Sequence, residues 1–289
     1  MTDQAQALRK LVRMKEAGEQ KSTRIVTVTS GKGGVGKSNF SLNFALSLQK
    51  KGLRVLVFDA DIGMANIDVL MGCSAPYSLY HLLKREKNIW EIIQQGSGGL
   101  HFIAGGSGFK DLLDLSQSEL DYFGEQICNL QGHYDLILFD TGAGLSKETL
   151  KFIIAAQETV VVTTPEPTSM TDAYALIKMV KAMNYEIEFK LVVNRAADAR
   201  EGKQTADKIG LVAKQFLNMD IPVLGVVLDD SNVTKAVKRQ VPFTLAFPSG
   251  EAAKGIDDIA CHFLNGTYFS TETDGGLKGF IQRLFKLKQ

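Results

Sequence analysis

The sequence predicts an α/β fold: a single domain with a mostly parallel central sheet of about seven or eight strands and helices on both faces. The chain has 289 residues, of which 45% are apolar, so it can bury a substantial core without a second domain. Runs rich in Val, Ile, Leu and Phe alternate with longer segments of helical period, as in parallel sheets covered on both faces. Ligands of such sheets bind at the carboxyl ends of the strands. The apolar runs are 25–29, 55–58, 136–139, 160–163, 189–193 and 223–228.

The first run is followed by a candidate phosphate loop, residues 30–38, whose sequence SGKGGVGKS fits G-x-x-x-x-G-K-[ST]. Its glycines let successive backbone N–H groups point at a phosphate, and the helix predicted at 38–51 adds its positive N-terminus. We expect Lys37 to reach the β- and γ-phosphates and Ser38 to ligate Mg²⁺. A chance glycine-rich turn is the alternative, but the preceding strand and following helix favour a P-loop NTPase domain. The predicted nucleotide-binding residues are Gly31, Lys32, Gly33, Gly34, Val35, Gly36, Lys37, Ser38 and Asn39.

One residue inside this loop, Lys32, narrows the class. The pattern K-G-G-V-G-K-S resembles the deviant phosphate loop of the MinD/ParA family of ATPases. The resemblance implies an enzyme that binds ATP and Mg²⁺, turns over slowly as a switch and forms an ATP-dependent homodimer. It also implies that Lys32 acts beside Lys37 in catalysis by reaching the nucleotide of the partner subunit. The alternative for Lys32 is a solvated lysine on a loop.

Three aspartates follow apolar runs and are candidates for hydrolysis, which needs a metal-organising acid and a group that positions water. Asp59 and Asp61 stand two residues apart, so strand alternation would place them on the same side. By resemblance to the D-x-D-x-G element of the family, Asp61 would orient the attacking water. Asp59 and Asp140, together with Ser38, would then serve the metal. The alternative is that Asp59 and Asp61 are solvated turn carboxylates. The loop after Asp140 departs from the family pattern, because many relatives have proline where Gly142 stands. Glycine at this position predicts a more mobile loop here.

The ends of two later runs resemble the adenine-binding elements of the same family. The amide of Asn194 offers a donor and an acceptor to a base edge, and Arg195 can stack on the ring. A second base-binding segment, 228–233, contributes Asp229 and Val233, although Leu228 stands where the family often has proline. The N-K-x-D pattern of guanine-binding proteins is not visible at either place.

The C-terminal segment 277–289 is predicted to form an amphipathic helix after a linker at 266–276. Apolar residues recur at helical spacing within a basic surround that has no acid, which is typical of a helix lying on an anionic membrane surface. The segment resembles the membrane-targeting tail of the MinD family. Alternatively it packs on the core of its own chain, and we hypothesise that it docks in the monomer and is released in the dimer. The predicted membrane-binding residues are Leu277, Lys278, Phe280, Ile281, Arg283, Leu284, Phe285 and Lys286.

The N-terminal tail, residues 1–23, lies ahead of the predicted ATPase domain, 24–265. Its composition indicates a frayed helix with a basic face. The motif D-Q-A-Q-A-L-R at 3–9 resembles the tail of the FlhG family, which regulates flagellar number and placement. The resemblance implies that the tail activates the GTPase FlhF and that flagellar C-ring components are further partners; disordered padding is the alternative. The residues to which the resemblance assigns partner binding are Asp3, Gln4, Leu8 and Arg9.

Charge, cysteine spacing and the length of apolar stretches give evidence on other functional classes of protein. A net charge of +1, from 33 basic and 32 acidic residues, gives no global argument for nucleic acid. Three cysteines without C-x-x-C spacing suggest neither a disulfide framework nor a zinc or iron–sulfur site. The absence of a signal peptide and of a long apolar stretch predicts a cytoplasmic protein that binds the inner face of the membrane reversibly. A division-site ATPase, a DNA-partitioning ATPase and a nucleotide-sensing scaffold without hydrolysis remain alternative functions.

Overall fold

The central feature of the fold is one twisted sheet. A computed structural model describes residues 23–61, 66–105, 116–156, 158–266 and 276–286. The order across the sheet is β3-β4-β2-β5-β1-β6-β7-β8, and each neighbouring pair is parallel except β3 with β4. The strands within the described residues are β1 Arg24–Ser30, β2 Val55–Ala60, β3 Gln94–Gln95, β4 His101–Ile103, β5 Leu136–Ala143, β6 Glu158–Thr163, β7 Glu188–Ala196 and β8 Val223–Leu228.

Helices connect the strands and cover the sheet. Several of the long ones connect strands of the parallel sheet, which cannot be joined by a tight turn, whereas the helices Glu251–Asn265 and Gly276–Lys286 follow the last described strand, β8. A short 3₁₀ turn, Ser97–Gly99, joins β3 to β4. The helices of the described residues are α1 Lys37–Lys50, α2 Ile67–Met71, α3 Leu79–Leu83, α4 Ile89–Ile92, α5 Gln117–Cys128, α6 Lys147–Ala156, α7 Pro167–Ala182, α8 Ala199–Leu217, α9 Ser231–Lys238, α10 Phe243–Ala246, α11 Glu251–Asn265 and α12 Gly276–Lys286.

The core lies on both faces of the sheet because successive strand residues point to opposite sides. On β2, Val55 and Val57 pack with α1 and α11, whereas Leu56 and Phe58 pack with the helices of the other face. The central strands β1, β2, β5 and β6 are almost completely buried over most of their length. This double burial explains why these strands read as continuous apolar runs rather than as an alternating pattern.

The C-terminal helix α12 packs on the body of the protein. Phe280 is 1% exposed, and its ring stacks on Phe139 of β5 with the centroids 4.7 Å apart. Arg283 Nε donates a hydrogen bond to the carbonyl of Ala155 at the end of α6. The apolar face of the helix is therefore part of the core beneath β5, between α5 and α6. The buried residues of this face are Leu277, Phe280, Ile281 and Leu284.

The predicted architecture is confirmed, and the differences are local. All six apolar runs fall in strands, and the helix predicted at 38–51 is found at Lys37–Lys50. Strands β3 and β4 were not predicted, because two and three residues are too few to show a period, and the glycine-rich segment 96–99 lies between them. The boundaries of the tail and linker fall mainly on undescribed residues and stay predictions. No helix within the described ranges is long and apolar enough to cross a membrane.

Candidate active site

The phosphate loop occupies the turn between the end of β1 at Ser30 and the start of α1 at Lys37. Gly36 has a φ of 89°, a conformation that side chains with a Cβ rarely adopt, and a Cβ there would overlap the amide of Asn194. A Cβ at Gly31 would overlap the backbone of α7 at Asp172. The loop is therefore tightly enclosed by β7 and α7, and glycine is required at these two positions.

A buried ion pair joins this loop to β5. Lys37 Nζ donates to Asp140 Oδ1 at 3.0 Å, and Ser41 Oγ, one turn further along α1, donates to the same oxygen at 2.6 Å. All three side chains are buried. Removing one partner of a buried charge pair costs about 3–5 kcal/mol, because the remaining charge is uncompensated. These three groups fix the start of α1 against the end of β5.

Asp59 lies beside Asp140 because their strands are paired in register at these positions. Its Oδ2 accepts hydrogen bonds from the backbone N–H groups of Asn66 and Ile67, and its Oδ1 accepts one from that of Asp61. Burial, with the negative charge of Asp140 beside it, raises the pKa of Asp59 to about 7. In this structure Asp59 holds the backbone that leads into α2.

Asp61 lines a cavity of about 740 Å³ above the phosphate loop. Burial raises the pKa of its carboxyl group, and the positive charge of Lys37 opposes that shift. Gly142, Ala143 and Ser146 also line this cavity. They belong to the segment from the end of β5 to the start of α6, residues 142–146, which we call the switch loop. Gly33, Gly34, Gly36, Lys37, Ser38 and Asn39 of the phosphate loop also line this cavity. The predicted water-orienting carboxylate and the phosphate-binding groups therefore share one space.

A second cavity, of about 430 Å³, adjoins the first at Gly34, Gly36 and Asn39. Asn194 Nδ2 donates to the carbonyl of Val35 at 2.8 Å, so one amide N–H is used to hold the phosphate loop. Arg195 has a φ of 58° at an irregularity of β7, and its Nε lies 3.6 Å from Asp229 Oδ1. The structure brings together all four residues expected to bind a base: Asn194, Arg195, Asp229 and Val233.

Lys32 lies apart from the phosphate cavity. Its Nζ donates to Glu166 Oε2 at 2.9 Å and to Thr168 Oγ1 at 3.1 Å, both next to the start of α7. This contact lowers the pKa of Glu166 below its usual range. The side chain of Lys32 is 39% exposed, so the pair lies at the surface. Lys32 is thus held within its own subunit in this structure.

Other predicted residues lie outside the site. Asp3, Gln4, Leu8 and Arg9 are not among the described residues, and the predicted membrane-binding residues are on α12, of which Lys286 has no described side chain. Sequence reasoning missed Ser41, Ser146 and Thr149. Their hydroxyl groups carry no motif of their own, although Ser41 at four residues after Lys37 lies on the same helix face and was open to a spacing argument.

The structure fits a Mg²⁺ ion beside the phosphate loop. Within the part of the chain that the structure describes, Asp140 Oδ2 is buried and has no hydrogen-bond partner, whereas Oδ1 accepts hydrogen bonds from both Lys37 and Ser41. Ser38 lines the phosphate cavity, and its Oγ accepts a hydrogen bond at 3.3 Å from the same Lys37 Nζ that binds Asp140. Carboxylate and hydroxyl oxygens are ligands that Mg²⁺ accepts, usually with waters and substrate phosphates. Ser38 and Asp140 are therefore the residues that would hold the ion.

These features define a class: a P-loop α/β protein with a phosphate loop, an acidic strand end and a base cavity at the carboxyl edge of a parallel sheet. The family model described as an AAA domain matches residues 23–193. The solved chain of MinD with Mg-ADP from Pyrococcus horikoshii superposes with a TM-score of 0.67 at 25% identity, covering 82% of this chain and 94% of that one. A chain of the MinC:MinD cell division protein complex from Aquifex aeolicus gives 0.69 at 24% identity, covering 85% and 98%, and shows the same fold.

Two curated relatives are similar over nearly their whole length. The antiactivator FleN of Pseudomonas aeruginosa is 33% identical over 94% of this chain and 96% of its own. The flagellum site-determining protein YlxH of Helicobacter pylori is 38% identical over 99% of both chains. The chain belongs to the FleN/YlxH (FlhG-type) family of MinD/ParA ATPases.

The shared oxygen of Asp140 gives a first prediction. We expect Ser41→Ala to weaken Mg²⁺-dependent binding of a fluorescent ATP analogue by about tenfold, because a hydrogen bond to a charged group contributes about 1.5–3 kcal/mol. Ser47→Ala is the matched control: it removes a hydroxyl–carboxylate bond, to Asp257, from the same helix but away from the cavity. Equal affinities of the Ser41 variant and the parent would contradict a role of Ser41 in placing Asp140.

Proposed function

We propose that the chain is a switch ATPase that regulates the number and placement of flagella. It would convert ATP and water to ADP and phosphate, dimerise when ATP is bound and dissociate after hydrolysis. The observation that carries the proposal is the buried Lys37–Asp140 pair at the phosphate loop. It occurs in a chain whose near-full-length relatives are named an antiactivator, FleN, and a flagellum site-determining protein, YlxH.

The residues present support hydrolysis as well as binding. Lys37 and the backbone N–H groups of the loop would bind the phosphates, and the Asn194 cavity would hold the base. Asp61, at the wall of the phosphate cavity, would orient a water molecule toward the terminal phosphate. Mg²⁺, when bound, would supply positive charge to the phosphate oxygens. This division of labour assigns orientation of water to Asp61 and metal binding to Ser38 and Asp140.

The catalytic assignment is tested by Asp61→Asn. We expect phosphate release to fall by about 100-fold, the size of effect typical of losing a positioned acid or base, while binding of the ATP analogue persists. Asp207→Asn, an exposed carboxylate on α8, is the control. Equal rates in the Asp61 variant and the parent would refute its role, and a parent that releases no phosphate would instead support a nucleotide-sensing scaffold.

The contact of Lys32 with Glu166 supports a dimerising switch. An exposed ion pair contributes only about 0–1 kcal/mol, so contacts with a nucleotide in a partner subunit can replace it readily. The two side chains that Lys32 binds, Glu166 and Thr168, are both exposed. Formation of the homodimer would then exchange a weak contact within one subunit for a contact between subunits.

Binding of α12 to a membrane requires its release from the core. Phe280 is buried against Phe139, so this face of the helix cannot contact lipid and the core at the same time. Basic residues near an anionic leaflet contribute about 1 kcal/mol each, so one helix binds weakly. Two helices on one dimer gain from a high effective concentration. We infer reversible association with the inner face of the cell membrane, controlled by nucleotide.

A reversible crosslink tests this release. A Cβ at Gly124 of α5 would lie 3.0 Å from Ile281 Cγ2, a separation compatible with a disulfide between cysteines at these positions. We expect Gly124→Cys/Ile281→Cys, with the three native cysteines replaced by serine, to lose ATP-dependent sedimentation with anionic liposomes when oxidised. Addition of a reductant should restore it.

The serine-substituted chain without the engineered pair is the control for that experiment and should bind equally in both redox conditions. If the oxidised, crosslinked chain binds liposomes as well as the reduced one, release of α12 is not required and the membrane assignment fails.

The partner GTPase provides the test of the flagellar output. We propose that residues 3–9 activate FlhF, and we expect a peptide of residues 1–21 to stimulate GTP hydrolysis by purified FlhF. Gln4→Ala should abolish the stimulation, whereas Gln6→Ala, the same change two residues on, should retain it. Absence of stimulation by the parent peptide would refute FlhF activation and leave capture of C-ring proteins as the flagellar contact to test.

A further inference from the structure

The switch loop passes close to Asp61, the proposed water-orienting carboxylate, at Gly142. A Cβ built at Gly142 would lie 3.5 Å from Asp61 Oδ1 and 3.6 Å from Thr149 Oγ1, both ordinary contact distances. Thr149, in the first turn of α6, is 2% exposed, and it lines the phosphate cavity together with Asp61 and Gly142. Three groups from β5, α6 and the end of β2 therefore meet at one point of the cavity wall.

Hydroxyl groups fix the backbone of the switch loop. Thr149 Oγ1 donates to the carbonyl of Gly142 at 3.3 Å, and Ser146 Oγ donates to Thr149 Oγ1 at 3.1 Å. The backbone N–H of Thr149 in turn donates to Ser146 Oγ at 3.1 Å, which caps the start of α6. The chain Ser146–Thr149–Gly142 thus directs a buried hydroxyl away from its own helix and onto the loop.

The Thr149 hydroxyl differs from that of a threonine in the middle of a helix. Such a hydroxyl commonly bonds to the carbonyl four residues earlier, as Thr205 does with Glu201 in α8. Thr149 instead bonds to a carbonyl seven residues earlier, across the switch loop. Because glycine leaves the backbone freer than any other residue, a loop with Gly142 needs an external restraint to keep one conformation.

We propose that Thr149 is a positioning residue for ATP hydrolysis. Its hydroxyl, oriented by Ser146, holds the Gly142 carbonyl and so keeps the switch loop against Asp61. The inference rests on the proposed ATPase function and deepens it. Binding of nucleotide depends on the phosphate loop, whereas the rate of hydrolysis depends in addition on the hydrogen bond from Thr149 to the Gly142 carbonyl, which we call the clamp. Thr149 acts through Gly142 and Asp61 rather than on the substrate.

The test compares two substitutions of the same residue. Thr149→Val keeps the shape and removes the hydroxyl, and we expect kcat to fall about five- to tenfold with an unchanged KM, as for the loss of one buried hydrogen bond. Thr149→Ser keeps the hydroxyl and should retain kcat within about twofold. Thr205→Val, which removes a buried hydroxyl bonded to its own helix, should leave both constants unchanged.

A second readout does not depend on turnover. Hydrogen exchange of the peptide that spans 142–146 should be faster in Thr149→Val than in the parent, with the thermal unfolding midpoint close to that of Thr205→Val. Gly142→Ala added to Thr149→Val should restore part of kcat, because a Cβ fits at this position and restricts the backbone.

The outcomes separate this inference from the proposed function. A parent that hydrolyses ATP, with Thr149→Val equal to it in kcat or Thr149→Ser as impaired as Thr149→Val, overturns the positioning role alone. A parent without ATPase activity overturns the proposed function, and the exchange experiment still decides whether Thr149 holds the loop. Unchanged exchange in Thr149→Val overturns the clamp in either case.

Discussion

The Asp140 carboxylate, buried at the centre of the sheet, is the group around which the rest of the site is arranged. A charge with no exposure needs partners, and Lys37 and Ser41 both donate to the same oxygen. This shared oxygen ties α1 to β5, whereas the buried Oδ2 has no hydrogen-bond partner among the described residues. The same charge contributes to the raised pKa of Asp59 on the next strand. One buried residue thus helps to fix the phosphate loop and adds to the effect of burial on the pKa of the neighbouring carboxyl group.

The strand that carries Asp140 also connects the two ends of the proposed switch. Residues after Asp140 form the switch loop, which leads directly into α6, and α6 packs against α12. On the same strand, Phe139 contacts Phe280 of α12, one residue before the carboxylate. Because adjacent strand residues point to opposite faces, one strand end serves the nucleotide site on one side and the docked helix on the other. This arrangement gives a short physical route by which nucleotide and helix docking can be coupled.

Much of the fold and part of the site could be predicted because they depend on local patterns. Continuous apolar runs identify buried parallel strands, and the spacing of glycines and Lys37 identifies a phosphate loop, since each feature arises within a few residues of chain. The short edge strands β3 and β4 carry too few residues for any period. Ser41 and Thr149 could not be singled out from motifs, because their roles depend on Asp140 and Gly142, from which they are separated by 99 and 7 residues along the chain.

The amino-acid sequence by itself determined the alternation of the six longer strands with helices, the phosphate loop and the amphipathic character of α12. Only the tertiary structure decided which partner each of these side chains contacts. Asp59 binds backbone N–H groups, Lys32 binds Glu166 in its own subunit, and Phe280 packs in the core. The reason is that a side chain carries its chemistry in its own atoms, whereas its partner is chosen by which distant segments the sheet brings within hydrogen-bond or contact distance.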